Sequence, residues 1–288
     1  MAQIGKDVLF AKSLLEKDEV VAIPTETVYG LAGNAYSEKA ILKIFEAKKR
    51  PLSDPLIIHI SSLAQLPGLV TEIPALAMDL FQAFSPGPLT ILLPKSAKIP
   101  DLVTNGSPLV AIRIPNHPLT LELLNSLSFP LVAPSANLFG GLSPTQALHV
   151  EASLGKFIPY ILDGGPCQVG LESTIIQIVN QKEIRILRQG GISEETLRLF
   201  AQLSSGLKSP QNEVVPGSML SHYAPKKPLW ISHLDQLLEK FGPSRVSYLA
   251  FNKENELVPI ENQKVLSRTG NPEEAAKNLF SFLHELDQ

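Results

Sequence analysis

The stretch SEKAILKIFEAKKRPLSDPLIIHI, residues 37–60, sets a helix directly before a strand and decides the α/β reading of the chain. Ser37 can cap a helix whose Ile41, Ile44 and Phe45 form one stripe, and Pro51 ends it because proline cannot extend the hydrogen-bond ladder. Lys48 lies seven residues after Ile41, close to the same face, so the spacing predicts that it points inward. In Leu56-Ile57-Ile58-His59-Ile60, strand alternation puts His59 on the face opposite Leu56, Ile58 and Ile60. The run Val110-Ala111-Ile112-Arg113-Ile114 places Arg113 opposite Val110, Ile112 and Ile114 in the same way.

The same alternation of elements continues on both sides. An amphipathic helix over 6–17 leads into Val20 to Ile23, and Leu89 to Leu93, Leu109 to Ile114, Leu131 to Ala133 and Ser173 to Val179 read as strands. Helical stretches at 74–84, 117–127 and 194–203 separate them, which predicts a twisted mixed sheet with helices. From 204 to 228 the composition turns to Ser, Gly, Pro and isolated charges, as in a linker between a first domain, 1–203, and a small α/β unit, 229–288. In that unit Leu229 to Ser232, Val246 to Phe251 and Val265 to Ser267 are expected as strands, and 233–241 and 272–286 as helices. So small a unit is near the limit of independent stability and is expected to lean on the first domain.

Composition narrows the function classes. With 25 Lys+Arg against 28 Asp+Glu the net charge is -3, so a surface that coats nucleic acid is not expected and phosphate chemistry must use a local positive cluster. The single cysteine, Cys167, excludes an intrachain disulfide and a Cys-rich zinc site. No signal-peptide pattern and no apolar run long enough to span a bilayer is present, so a cytoplasmic location is expected.

The glycine-rich phosphate loops are absent, so a bound nucleotide would have to be held largely by side chains. Lys48-Lys49-Arg50 could grip a polyphosphate, or it could be a solvated basic helix end. Ser135-Ala136-Asn137 follows a strand, where it could reach a ligand or close a turn on its own backbone. Pro24-Thr25-Glu26-Thr27-Val28-Tyr29-Gly30 offers two hydroxyls and a carboxylate after a strand, and Asp163-Gly164-Gly165 opens a loop running to Glu172-Ser173-Thr174. No histidine neighbours Cys167, which reads as a bystander thiol. His117, His149, His233 and His284 lack metal-ligand spacing and read as structural or surface groups. His222-Tyr223-Ala224-Pro225 could fold over a ligand as a lid or pack on a domain surface.

Together these segments resemble the YrdC-type threonylcarbamoyl-AMP synthase family in its two-domain form, here with a shortened C-terminal domain. Ser85-Pro86-Gly87-Pro88-Leu89-Thr90, Arg113-Ile114-Pro115, Ala133-Pro134-Ser135-Ala136-Asn137, Arg188-Gln189-Gly190 and Pro216-Gly217 complete the set, in the family's order across 20–225. The resemblance implies synthesis of threonylcarbamoyl-AMP and pyrophosphate from L-threonine, bicarbonate and ATP with Mg2+. The product feeds a tRNA threonylcarbamoyltransferase machinery, without stable direct binding of tRNA. It implies a polar centre of Lys48, Arg50, Ser135 and Asn137. ATP would lie against Arg50, Asp54, Ser135, Ser143, Arg188 and Tyr223, and threonine against Thr27, His59, Arg113, Ala133 and Ser173, with no protein-only metal cage. On this reading Arg50→Ala abolishes most pyrophosphate release while leaving the fold intact. A double-stranded RNA-binding module and a carbamoyl-transfer maturation domain are the alternatives.

Overall fold

The structure is a computed structural model describing residues 1–204, 223–231 and 233–288; Pro216 to His222 of the linker motif lie outside the described residues. Through the first part of the chain the elements are β1 (Gln3–Gly5), α1 (Val8–Leu15), β2 (Val21–Ile23), β3 (Gly30–Asn34), α2 (Glu38–Lys48), β4 (Ile57–His59), α3 (Ala75–Phe84) and β5 (Leu89–Pro94). Then come α4 (Asp101–Thr104), β6 (Leu109–Arg113), α5 (Pro118–Ser126), β7 (Leu131–Val132), α6 (Ala147–Leu154), β8 (Tyr160–Leu162), β9 (Thr174–Ile178), β10 (Glu183–Arg188), α7 (Glu194–Arg198) and β11 (Gln202–Leu203). The C-terminal part contributes α8 (Leu234–Phe241), β12 (Tyr248–Ala250), β13 (Gln263–Val265) and α9 (Pro272–Leu286).

Among the described residues eleven strands form one mixed sheet in the order β1-β8-β2-β3-β7-β4-β6-β5-β9-β10-β11. Parallel β4 and β6 lie side by side with His59 opposite Arg113, and antiparallel β5 brings Thr90 beside Arg113. One sheet face, carrying Ile58, Ile91, Ile112 and Ile176, enters the main core with Ile41, Ile44 and Phe45 of α2. The other carries Ile57, Ala111 and Ile175 in a small apolar cluster, and His59 and Arg113 belong to it by alternation. The expected strand faces therefore hold, and they put two polar side chains next to each other on the face that carries this cluster.

Two expected elements differ. The stretch 194–203 is helical only to Arg198; Gln202 and Leu203 pair in parallel with Glu183 and Ile184 and close the sheet edge. Leu229 to Ile231 form no strand, and among the described residues the small sheet of the C-terminal unit is β12 with β13. β1, β3, α4, α6, β8 and β10 are not among the elements expected from the sequence. In β3 the reason is physical: a Cβ on Gly33 would stand 3.0 Å from Ile44 Cδ1, so α2 packs close to a strand of small residues that shows no apolar alternation.

Candidate active site

α2 delivers Lys48 as expected, but to a backbone. Ser37 caps the helix by accepting the Ala40 N–H, and Lys49 ends it in the left-handed conformation at φ 51°. Lys48 is buried, and its ammonium donates to the carbonyls of Ser135 at 2.5 Å and Asn137 at 2.6 Å. Burial, and then the nearby Arg50 charge, hold its pKa well below the ordinary lysine value. Asn137 turns its amide onto Leu138 O and Gly141 O and keeps a buried Oδ1 with no hydrogen-bond partner among the described residues. Lys48 thus ties the Ser135–Asn137 loop to the helix end, which joins two segments 87 residues apart.

Arg50 is buried too, donating to Asp54 O and Pro55 O and standing 2.9 Å from Asp54 Oδ2. Burial raises the Asp54 carboxyl above its ordinary value, against the pull of Arg50. This corrects one expectation: truncating Arg50 leaves a buried carboxylate uncompensated, so Arg50→Ala disturbs the fold as well as the site.

The strand-face pair is held by the loop between β2 and β3. Thr25 Oγ1 donates to Val28 O at 2.6 Å and accepts the Thr27 and Val28 amides, which turns Glu26 and Thr27 toward β6. Arg113 Nη2 donates to Glu26 Oε1 and to Thr27 Oγ1, each at 2.8 Å, and its Nε donates to Gly87 O. Glu26 Oε2 accepts the Asn116 amide. His59 Nδ1 lies 3.1 Å from Ile57 O; a carbonyl only accepts, so Nδ1 carries the proton and Nε2 is an acceptor. Burial first, then Arg113, lowers the His59 pKa to about 3, so the ring is neutral.

A third wall comes from β9, β10 and the strap at Tyr223. Arg188 donates to Ser173 O and Oγ, and Ser173 Oγ is 2.7 Å from Thr90 Oγ1. Ser143 donates to Glu172 Oε1, and burial raises the Glu172 carboxyl above its ordinary value. Tyr223 takes a positive φ of 62°, the next amide, Ala224 N–H, bonds to Gly140 O, and its ring lies against Phe280 of α9. Burial, then the Glu172 charge, pushes its phenol well above the ordinary value.

These walls enclose one cavity. Thr27, Arg50, His59 and Arg113 line it together with Ala133, Ser135, Ser173, Arg188 and Tyr223. Lys48, Asp54, Asn137 and Ser143 are not on its lining and act on it through their neighbours. The sequence reading gave no role to Glu172, Ile57, Pro55, Val28 or Pro134, which also line it. Ile57 was accessible from alternation with His59, and Glu172 from its place beside Ser173. His149 and His284, unrelated by spacing, stack at 3.9 Å between ring centroids.

The family profile described as Telomere recombination, covering the Sua5, YciO and YrdC proteins, matches residues 13–190. The profile of the threonylcarbamoyl-AMP synthase C-terminal domain matches residues 180–288. The threonylcarbamoyl-AMP synthase of Bacillus subtilis is 40% identical over 96% of this chain and 84% of its own length. That of Pyrococcus abyssi is 36% identical over the same shares. The crystal structure of P. abyssi Sua5 complexed with L-threonine superposes with a TM-score of 0.87 at 34% identity, covering 100% of this chain and 89% of that one. With this fold, this cavity and both domain matches, the chain belongs to the threonylcarbamoyl-AMP synthase family and is an enzyme of that class.

Proposed function

We propose that the cavity binds L-threonine, bicarbonate and ATP and joins them into threonylcarbamoyl-AMP with release of pyrophosphate. The observation that carries this is that Arg113 and neutral His59, side by side on β4 and β6, line a single cavity together with Arg50 and Arg188. Arg113, with Nε and Nη2 held by Gly87, Glu26 and Thr27, has its guanidinium pre-oriented and Nη1 left to donate to the amino-acid carboxylate. Thr27, Ser173 and His59 Nε2 supply hydrogen-bonding groups beside it, and Ala133 an apolar contact for the threonine methyl. That methyl contributes only about 1–3 kcal/mol of discrimination, so serine is a slow alternative substrate.

On the nucleotide side Arg50 and Arg188 face the phosphates, Ser135 donates, and Tyr223 closes the strap over the base and sugar. Lys48 and Asn137 fix the Ser135 loop, Asp54 fixes Arg50, and Ser143 fixes Glu172. A carbamate oxygen attacks the α-phosphorus as the bond to pyrophosphate breaks; the arginines meet the charge that develops on the phosphate oxygens. Among the described residues no group of three or more His, Cys, Asp or Glu gathers to hold a metal ion. Magnesium in this scheme comes on the triphosphate and neutralises phosphate charge there. The product goes to a tRNA threonylcarbamoyltransferase machinery in the cytoplasm. No helix among the described residues is long and apolar enough to cross a membrane.

Pyrophosphate release from ATP, with threonine and bicarbonate omitted in turn, tests the proposal. Release is expected to need both, and release independent of threonine would overturn it.

A further inference from the structure

Glu172 is a carboxylate on the cavity lining to which the scheme above gives no chemical task. Its backbone is fixed from two sides. Its carbonyl accepts the Gly191 amide at 2.9 Å, and a Cβ on Gly190 would stand 2.3 Å from the same oxygen, so the turn that closes on it excludes side chains. The next residue, Ser173, is held by Arg188 and by Thr90. The Ser143 hydroxyl orients the carboxylate by donating to Oε1. Such a group is preorganised, because both its main chain and its rotamer are determined by neighbours.

The reaction needs a group of this kind. Threonine enters as an ammonium ion, whose nitrogen has no lone pair with which to attack bicarbonate. His59 is a poor acceptor, since burial and Arg113 hold its pKa near 3. Glu26 is paired to Arg113 and Asp54 to Arg50, and neither lines the cavity. Glu172 lies on the same cavity as Thr27, Arg113 and Ser173 on the threonine side and Arg50, Arg188 and Tyr223 on the nucleotide side. Its charged and titratable surroundings are Arg188 from β10, Arg113 from β6, Lys48 from α2 and Tyr223 from the strap. Burial makes its carboxylate a stronger base than an exposed glutamate.

We propose that Glu172 accepts the proton from the bound threonine ammonium, so that the free amine can be carboxylated; the inference rests on the function proposed above. The N–H bond breaks, its electron pair stays on nitrogen, and Glu172 becomes a carboxylic acid. The amine then forms an N–C bond to bicarbonate, and one of its two remaining protons leaves with the bicarbonate hydroxyl as water. This gives the carbamate, which attacks the α-phosphorus. Glu172 returns its proton to solvent when the product leaves, so one proton is released per turnover.

The test is the pH dependence of kcat/KM for threonine in the wild type and Glu172→Gln, with ATP binding measured by calorimetry. At about pH 7 the variant is expected to lose on the order of 100-fold in kcat/KM while binding ATP normally. The loss should shrink to within about threefold near pH 9.5, where the amine loses its proton unaided. Lys48 feels the Glu172 charge and titrates lower without it, so ATP binding is measured at both pH values to separate that effect. If Glu172→Gln does not fold, Glu172→Asp, which keeps the charge but withdraws it by a methylene, should show a smaller loss that also shrinks with pH. A loss that is the same at both pH values would make Glu172 only a brace for Ser143 and the Ser173 turn, and absence of a loss would exclude it altogether. Wild-type turnover without threonine is a separate result, which removes the function and this proposal with it.

Discussion

Removing the carboxylate of Glu26 is the sharpest test of how the site is built. Arg113 and Glu26 are paired at 2.8 Å with side chains only 5% and 4% exposed. At an effective dielectric of about 20 that separation corresponds to roughly 6 kcal/mol of attraction, most of which offsets the cost of taking both ions out of water. Glu26→Ala keeps the buried Arg113 charge and deletes its counter-ion, a change that costs about 3–5 kcal/mol. The Asn116 amide also loses its acceptor, at about 1 kcal/mol. A drop of about 4–6 kcal/mol in unfolding free energy is a large share of the roughly 5–15 kcal/mol typical of a folded protein. Glu26→Gln retains an acceptor for Nη2 but no counter-charge, and turns its NH2 on the Asn116 amide, so it should lose less than Glu26→Ala, about 2–3 kcal/mol. In that milder variant the Arg113 fork is less firmly held while Arg50 and Arg188 keep their own partners. KM for threonine should rise on the order of tenfold, or about 1.4 kcal/mol, with KM for ATP unchanged. Urea unfolding and threonine titration of pyrophosphate release measure the two effects. A loss under about 1 kcal/mol in Glu26→Ala, or equal rises in both KM values in Glu26→Gln, would refute the reasoning.

Three further outcomes follow from other parts of the structure. Arg50→Lys keeps a charge beside Asp54 but loses the planar fork, so it should fold and yet lose on the order of tenfold or more in kcat/KM for ATP; normal ATP kinetics would remove Arg50 from the phosphate side. His149 and His284 both have pKa values lowered by burial first, His149 to about 4, so in the folded state both resist protonation. The unfolded chain takes up these protons below about pH 6.5, so stability should be full above that pH and fall toward pH 4, by about 1–2 kcal/mol after discounting partial exposure. Melting curves of His149→Gln should be flatter over that window, and curves parallel to wild type would discount the pair. Cys167 is buried with its thiol pushed up to about 12, chiefly by burial, so the native protein should resist thiol reagents that label it once unfolded. Rapid labelling of active enzyme would contradict that.

Much of the centre was legible because a period of two is a strong constraint. His59 and Arg113 stand out as single polar residues within apolar runs, and alternation alone sends them to one face; the structure adds that β4 and β6 are neighbours in register. The inward course of Lys48 was legible from its helical stripe. Its partners were not, because a backbone carbonyl leaves no trace in residue identity, and both acceptors lie in a loop 87–89 residues away. The same applies to the brace on Glu172 from Ser143, 29 residues upstream. At β3 the strand signal is erased by packing, since closeness to α2 calls for glycine and alanine where a strand would ordinarily show branched residues. Arg50 shows the converse: its motif left open a phosphate grip or a solvated helix end, and burial beside Asp54 makes it part of the frame.

The C-terminal unit is too small to be expected to stand alone, and its last helix shows what it does instead. Phe280 and Leu283 of α9 pack with Val28, Leu142, Leu171 and Tyr223 at the cavity rim. Gly170, at φ 75°, lets the α9 backbone pass so near that a Cβ there would be 2.4 Å from Lys277 O. His284 reaches Ser143 O at 3.0 Å, and Asp287 accepts the amides of Lys226 and Lys227 just after Tyr223. One helix thus fixes both the strap that carries Tyr223 and the main chain of the serine that orients Glu172. Changes on α9 should therefore register in the kinetics of a site it does not line, and the second domain is better understood as the outer support of the active site than as an appended module.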